Sequence, residues 1–418
     1  MNVLILGSGG REHALAAAVA NSRKLSKLFT LPGNAGTAQL GTNLPGDPAD
    51  PNVVVKAAKA NAVGLVIVGP EVPLCAGVVD HLEKANIRAF GPTEAAARIE
   101  GNKAYAKELM RRARVPTAEA RIFENFRSAH TYVATRETGL VVKAAGLAAG
   151  KGVVICDEPS EALLALERIM VERCFGDAGK TVLVEERLEG PEVSVLALVD
   201  DNTIYVLETA QDYKRAGDGD SGPNTGGMGA ISPSPRVSDA LLDEVQSDVL
   251  VPIVDALRGD EAPYRGLLYT GLMLTPAGPK VLEFNCRFGD PETQVVVPRM
   301  RCDVLEVLEA CVDGRLADAA IDWDPRPAVT VVLASAGYPG AYEVGKAITG
   351  LKEAAALEDV HVYHAGTALR GSDVVTAGGR VLAVTALGED MAAARAQAYR
   401  AVELIRFEGK TYRTDIGA

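Results

Sequence analysis

Glu283 and Asn285 stand two apart in the largely apolar run Val281-Leu282-Glu283-Phe284-Asn285-Cys286-Arg287. On a strand, side chains two apart share a face, here roughly 7 Å apart along the backbone. Two such oxygen donors can hold Mg²⁺, which takes few protein ligands and fills its octahedron with water and nucleotide phosphates. Arg287 follows directly, and a guanidinium beside a metal can neutralise charge building on a transferring phosphoryl group. The turn that it opens, Arg287-Phe288-Gly289-Asp290-Pro291-Glu292-Thr293-Gln294, adds Asp290 and Glu292. These are either further ligands or a turn and a helix start. Without these neighbours, a solvated Glu and Asn on an exposed strand face would be the better reading.

Lys143 ends an apolar strand, Leu140 to Lys143, where an ammonium costs solvation unless it meets an anion, so phosphate is preferred to surface snorkelling. The following Gly146-Leu147-Ala148-Ala149-Gly150-Lys151-Gly152 is not a Walker A loop: the glycine spacing is wrong and no Ser or Thr follows the lysine. It reads as a flexible loop between two strands, able to fold over triphosphate oxygens. The long loop Gln211 to Ser232 carries Asp212, Lys214 and Arg215 before Gly222-Pro223-Asn224-Thr225-Gly226-Gly227-Met228-Gly229. Its glycines permit close backbone approach to a ligand. A flexible linker is the alternative, and its mixture of apolar, basic and amide groups favours binding.

Gly7-Ser8-Gly9-Gly10 follows a strand and precedes a helix expected to begin near His13. Such a loop is either a phosphate cradle at a helix N-terminus or a tight turn that needs glycine for backbone reasons. It is no dinucleotide fingerprint, because Glu12 stands where Gly or Ala is required and the second strand ends in Thr30-Leu31-Pro32 without an acid, which disfavours a nicotinamide dehydrogenase. The six cysteines form no Cys-x-x-Cys pair, and no zinc-like spacing joins them to the five histidines. Cys286 and His13 are therefore read as packing residues.

The elements that must carry these residues fall into three regions. Short apolar runs at Val3 to Leu6, Leu28 to Leu31, Leu65 to Val68 and Ile87 to Phe90 alternate with helix-length, alanine-rich stretches, a βαβ rhythm whose strand ends line a ligand crevice. From Asn102 to Asp324 the pattern becomes strand-rich, with glycine-rich connectors judged too long for hairpins and suited to lids or binding loops. Beyond Asp322 to Pro327 lies a smaller α+β segment, with strands near Val329 to Ala334 and Val381 to Thr385 and a late helix. The fold class expected is thus α/β and α+β: a doubly wound N-terminal platform over 1–101, a core over 102–324 and a C-terminal domain over 325–418.

With 418 residues, 48% hydrophobic and 23% charged, the chain has the balance of an ordinary globular protein of two or three domains. A net charge of -12 without a polybasic patch disfavours nucleic acid and acidic lipid and favours small-molecule chemistry. No apolar segment reaches roughly 18 residues, and the N-terminal run lacks a basic flank, so a cytoplasmic location is expected.

The motifs RFGDPETQ, GPNTGGMGA, GLAAGKGV, GSGGREHA, PGNAGT, HAGT and GGRVL together resemble the phosphoribosylamine-glycine ligases of the ATP-grasp superfamily, over nearly the whole chain. The resemblance implies an ATP-grasp core with a mobile lid subdomain at about 117–190. It implies ATP phosphates at Lys103 and Lys143 beneath the loop Gly150, Lys151 and Gly152. Glu185, Glu186 and Leu188 would lie at an adenine hinge, Glu192 at the ribose, and Mg²⁺ or Mn²⁺ on Glu283 and Asn285. Substrate contacts are assigned to Gly9, Gly10, Arg11, Asn34, Glu71, Asp212, Lys214, Asn224, Thr225, Gly226, Arg287 and Asp290. Lys143, Asp212 and Arg287 are the catalytic candidates, with Asp212 and Arg287 gripping glycine. Ala145, Asn102, Tyr213 and Arg187 depart from residues common in the family, and none removes a proposed ligand. The expected reaction joins glycine to 5-phosphoribosylamine through glycyl phosphate, in a monomer or weak homo-oligomer. The rivals are another ATP-grasp ligase or carboxylase and a noncatalytic nucleotide sensor, the latter expected to lack the metal pair.

Overall fold

A computed structural model describes residues 1–148 and 150–418. Val3 to Leu6 have no solvent exposure, as expected of a strand covered on both faces in a parallel sheet. The sheet runs, in spatial order, Thr42–Asn43, Lys27–Pro32, Asn2–Gly7, Val63–Val68 and Arg88–Phe90, all parallel. Strand order reverses between Asn2–Gly7 and Val63–Val68, so the crevice beyond their C-terminal ends is where an open sheet places a ligand site. Helix Gly10–Ala20 starts there, three residues earlier than expected, because Gly9 is its cap and Glu12 closes a capping box on the Gly9 backbone.

Two antiparallel sheets follow. One is ordered Ile204–Val206, Glu192–Val199, Gly266–Thr275, Gly278–Asn285, and the other Ala120–Phe123, Val182–Glu186, Leu140–Ala144, Val153–Cys156. The second has its own small core, with Val142, Val184, Leu166 and Ile169 among its buried residues. The first shares its core with the platform, Leu6 and Val68 clustering with Val193, Val195 and Phe284. The smaller sheet is tied to residues 280–282 of the larger: Val281 N donates to Pro116 O and Thr117 Oγ1 to Val281 O at 2.7 Å, and Lys143 and Glu186 bond Leu282 O and Lys280, respectively.

The connector after Tyr213 corrects the expectation that it could not form a hairpin. Arg215–Gly217 and Ser221–Asn224 pair as an antiparallel ribbon. Gly219 and Asp220 turn it with φ of 64° and 51°, the left-handed conformation that Gly and Asp tolerate best. The last sheet runs Gln211–Asp212, Gly229–Ser232, Ala328–Ser335, Arg380–Leu387, Val360–His364, so strands on either side of residue 325 share it. Helix Met391–Leu404 covers this sheet through Ala394, Ala398 and Ala401, fully buried at helical spacing. No helix among the described residues is long and apolar enough to cross a membrane.

Candidate functional site

Between the platform and the two antiparallel sheets lies a cavity of about 720 Å³. At one end Glu185, 3% exposed, receives two ammonium groups: Lys143 Nζ at 2.8 Å from Oε2 and Lys107 Nζ at 2.9 Å from Oε1. Burial alone would raise the Glu185 pKa, but Lys143 and Lys107 outweigh it and hold the carboxyl below its ordinary range. Lys143 also donates to Leu282 O at 3.2 Å, and Lys103 to Gly146 O at 3.1 Å. Burial lowers the pKa of Lys103. The three lysines form a concentration of positive charge with one internal carboxylate, an arrangement that an incoming phosphate can share. Lys107 escaped the sequence reading although its signal was present, four residues after Lys103 on helix Lys103–Ala113 and hence on the same face.

Glu283 and Asn285 both line this cavity. The cause is a bulge: Gly271 pairs with Glu283 but Leu272 with Val281, so Leu282 is the extra residue in its strand. The strict alternation from Val281 is thereby reset: Val281 is fully buried and off the cavity, whereas Leu282, Glu283 and Asn285 meet it and Phe284 reaches it from the core. Among the described residues neither Glu283 nor Asn285 makes a side-chain hydrogen bond, and the nearest cation to Glu283 is Lys214 at 3.9 Å. Burial opposes ionisation of Glu283, but Lys214, Lys143 and Lys103 overcome it and keep it a carboxylate. An ionised carboxylate and an amide oxygen beside a phosphate-binding face suit Mg²⁺ shared with nucleotide. The described residues contain no cluster of three or more His, Cys, Asp or Glu suited to a metal.

At the other end Arg287 sits between two platform carboxylates, Nη2 3.0 Å from Glu100 and Nε 3.3 Å from Glu71. Glu100 also accepts from Cys286 N at 2.7 Å and from its thiol at 3.1 Å, so Cys286 packs and bonds internally. No local pattern marked Glu100, whose role depends on partners 186 residues away. Asp212 is half-buried, its Oδ1 is buried and unpartnered among the described residues, and burial, then the nearby charge of Glu292, pushes its pKa well up. Lys214 bonds Glu192 at 2.9 Å. Glu186 holds Lys280 at 2.9 Å. Leu188, Gly150, Gly152, Asn224, Thr225, Gly226 and Asp290 complete the part of the expected set that the cavity gathers.

The remaining expected residues lie off it. Lys151 is exposed. Gly9 N donates to Glu12 Oε2 at 2.5 Å, and a Cβ on Gly7, Gly9 or Gly69 would fall within 2.7 Å of the Glu12 side chain. A carboxylate thus occupies the inside of the loop, which supports the tight-turn reading of Gly7 to Gly10 over the phosphate cradle. Gly10 packs on Gln294, and Arg11 pairs with Glu12 while donating to Phe288 O at 3.1 Å. Asn34 joins Ser8 O, at 2.9 Å, to His364 O, at 2.8 Å. His13 accepts from His364 N at 2.7 Å, a packing role.

Family models for phosphoribosylglycinamide synthetase match the chain as N domain over 1–100, ATP-grasp (A) domain over 101–293 and C domain over 328–418. The chain belongs to the phosphoribosylglycinamide synthetase family. The phosphoribosylamine–glycine ligase of Rhodopirellula baltica is 54% identical across 99% of this chain and 97% of its own. A crystal structure of the phosphoribosylamine–glycine ligase of Thermotoga maritima superposes with a TM-score of 0.86 at 35% identity, covering 99% of this chain and all of that one. The biotin carboxylase of Campylobacter jejuni shares the fold alone, with a TM-score of 0.76 at 14% identity over 98% of this chain and 92% of its own. The synthetase family accounts for the three-part architecture: a parallel platform, an ATP-grasp core and an antiparallel C-terminal sheet.

Proposed function

We propose that this chain ligates glycine to 5-phosphoribosylamine with ATP, giving glycinamide ribonucleotide, ADP and phosphate. The observation that carries this reading is one cavity with a lysine-rich, Glu283–Asn285 end and an Asp212–Arg287 end. A carboxylate is a poor acyl donor, so one glycine oxygen attacks the γ-phosphorus, the bond to ADP breaks, and glycyl phosphate forms. The amine then attacks the carbonyl carbon, the carbon–oxygen bond to phosphate breaks, and the nitrogen gives up a proton. Lys143 and Lys103 hold the transferring phosphoryl group, Glu185 orients Lys143, and Arg287 and Asp212 take the carboxylate and ammonium of glycine.

Glu283 and Asn285 would hold Mg²⁺, or Mn²⁺ in its place, which when bound neutralises phosphate oxygens. Glu186, Leu188 and Glu192 are placed at the nucleoside, with Gly150, Lys151 and Gly152 over the phosphates. The amine substrate is placed at the Glu71–Asp290 end, with Lys214, Asn224, Thr225 and Gly226 along its wall. Gly9, Gly10 and Arg11 are assigned an indirect part, shaping the turn on which Asp290 stands, and Asn34 holds the Ser8 end of the loop to His364. ADP formation with MgATP, glycine and fresh phosphoribosylamine, each omitted in turn, tests the reading. Turnover should need all three and fall roughly a hundredfold or more in Glu283→Ala. Turnover without the amine would overturn the substrate assignment.

A further inference from the structure

Gly226 lines the cavity and Gly227 packs against Asp212, and the C-terminal domain grips both. Arg380, at the start of strand Arg380–Leu387, donates through Nη1 to Gly226 O at 2.6 Å, Gly227 O at 3.4 Å and Asp290 O at 2.8 Å. Its Nη2 lies 3.3 Å from Asp290 Oδ2. Tyr338 Oη accepts from Gly226 N at 3.0 Å, so both the N–H and the carbonyl of Gly226 are bonded from the C-terminal domain. Gly227 stands at a φ of 106°, and a Cβ there would lie 2.4 Å from Pro291 Cδ and 2.8 Å from Asp212 Oδ1. The peptide is thus pressed between the turn that carries Asp290 and the carboxyl that faces the cavity. Arg380 does not line the cavity, and it acts from behind its wall.

We infer that Arg380 and Tyr338 are positioning residues that fasten the glycine-rich loop to the Asp290 turn and so shape the pocket for glycine and the amine, leaving nucleotide binding to other residues. Five polar contacts, four from one guanidinium, join four segments far apart in sequence. A freely moving glycine loop would lose conformational entropy on each substrate encounter, and this clamp removes that cost beforehand. The nucleotide end, at Lys143 and Glu185, has none of these contacts.

The inference rests on the proposed ligase reading, and the experiment separates the two. In Arg380→Ala, KM for glycine should rise roughly tenfold or more, as loss of charge-assisted hydrogen bonds implies, with MgATP affinity within about twofold of wild type. Tyr338→Phe, which loses one neutral hydrogen bond, should show a smaller rise of roughly threefold. Added guanidinium ion at millimolar concentration should restore part of the Arg380→Ala activity. Independently of turnover, amide hydrogen exchange at Gly226 to Met228 should quicken in both variants. Unchanged KM and exchange in Tyr338→Phe, or parallel loss of nucleotide and glycine binding without guanidinium rescue in Arg380→Ala, would overturn it. A wild-type protein that makes no product would sink the ligase reading alone, because the exchange measurement still decides the clamp.

Discussion

Lys107 and Lys143 both depend on Glu185, and the dependence is testable. Glu185→Ala leaves two buried ammonium groups without their carboxylate, which should lower unfolding free energy by about 3 kcal/mol or more in urea melts. MgATP should then stabilise the variant by a larger margin than wild type, because triphosphate oxygens replace the missing anion. Equal stabilisation of the two proteins would mean that the lysines do not face nucleotide. Residues whose chemistry conflicts with their neighbours along the chain were legible in the sequence: a lysine closing an apolar strand, and a Glu and Asn alternating with apolar residues. Glu100 and Arg380 were not, since each is an ordinary charged residue locally, and Lys107 carried only the weak signal of its helical spacing from Lys103. Their meaning comes from partners on other segments: Arg287 for Glu100, Glu185 for Lys107, Asp290 and the Gly226 peptide for Arg380.

Helix Gly10–Ala20 meets strand Val360–His364 through two buried histidines. His13 is lowered to about 3 by burial and then by His364, and His364 to about 4 by burial. Thr367 and Tyr363 are the other polar groups at their rings. Both histidines are neutral when folded and take up protons near pH 6.5 when unfolded. The unfolded chain therefore gains stability as pH falls below about 6.5, and the folded chain loses up to about 3 kcal/mol from His364 alone by pH 4. Melting temperature should drop across that window, and more shallowly in His364→Asn; parallel slopes would exclude this linkage. Platform strands such as Val3 to Leu6 were readable as unbroken apolar runs. The ribbon at Arg215–Gly217 and Ser221–Asn224 was not, because its strands lack alternation and its register follows from turn geometry.

One sheet joins the strand Gly229–Ser232 to Ala328–Ser335, so the loop that bears Asp212 ends on a strand completed by the C-terminal domain. A fragment covering 1–327 should therefore show no glycine-dependent ADP formation, and addition of 328–418 should restore part of it. Full activity in the shorter fragment would show that the C-terminal sheet is dispensable. The three-part plan was visible in the change from βαβ rhythm to strand-rich pattern. The sharing of a sheet across residue 325 was not, since strand pairing between distant segments leaves no mark in local periodicity.

Glu12, enclosed by Gly7, Gly9 and Gly69, amounts to a built-in competitor. It sits where parallel α/β sheets elsewhere accept the pyrophosphate of a dinucleotide, at a helix N-terminus beside the strand switch point. The platform thus carries its own anion by covalent attachment, at an effective concentration that no free cofactor in solution can match. By this one side chain the platform would be kept from sequestering cellular dinucleotides, and Glu12→Ala should open an anion trap there, detectable as new sulfate or NAD binding by calorimetry.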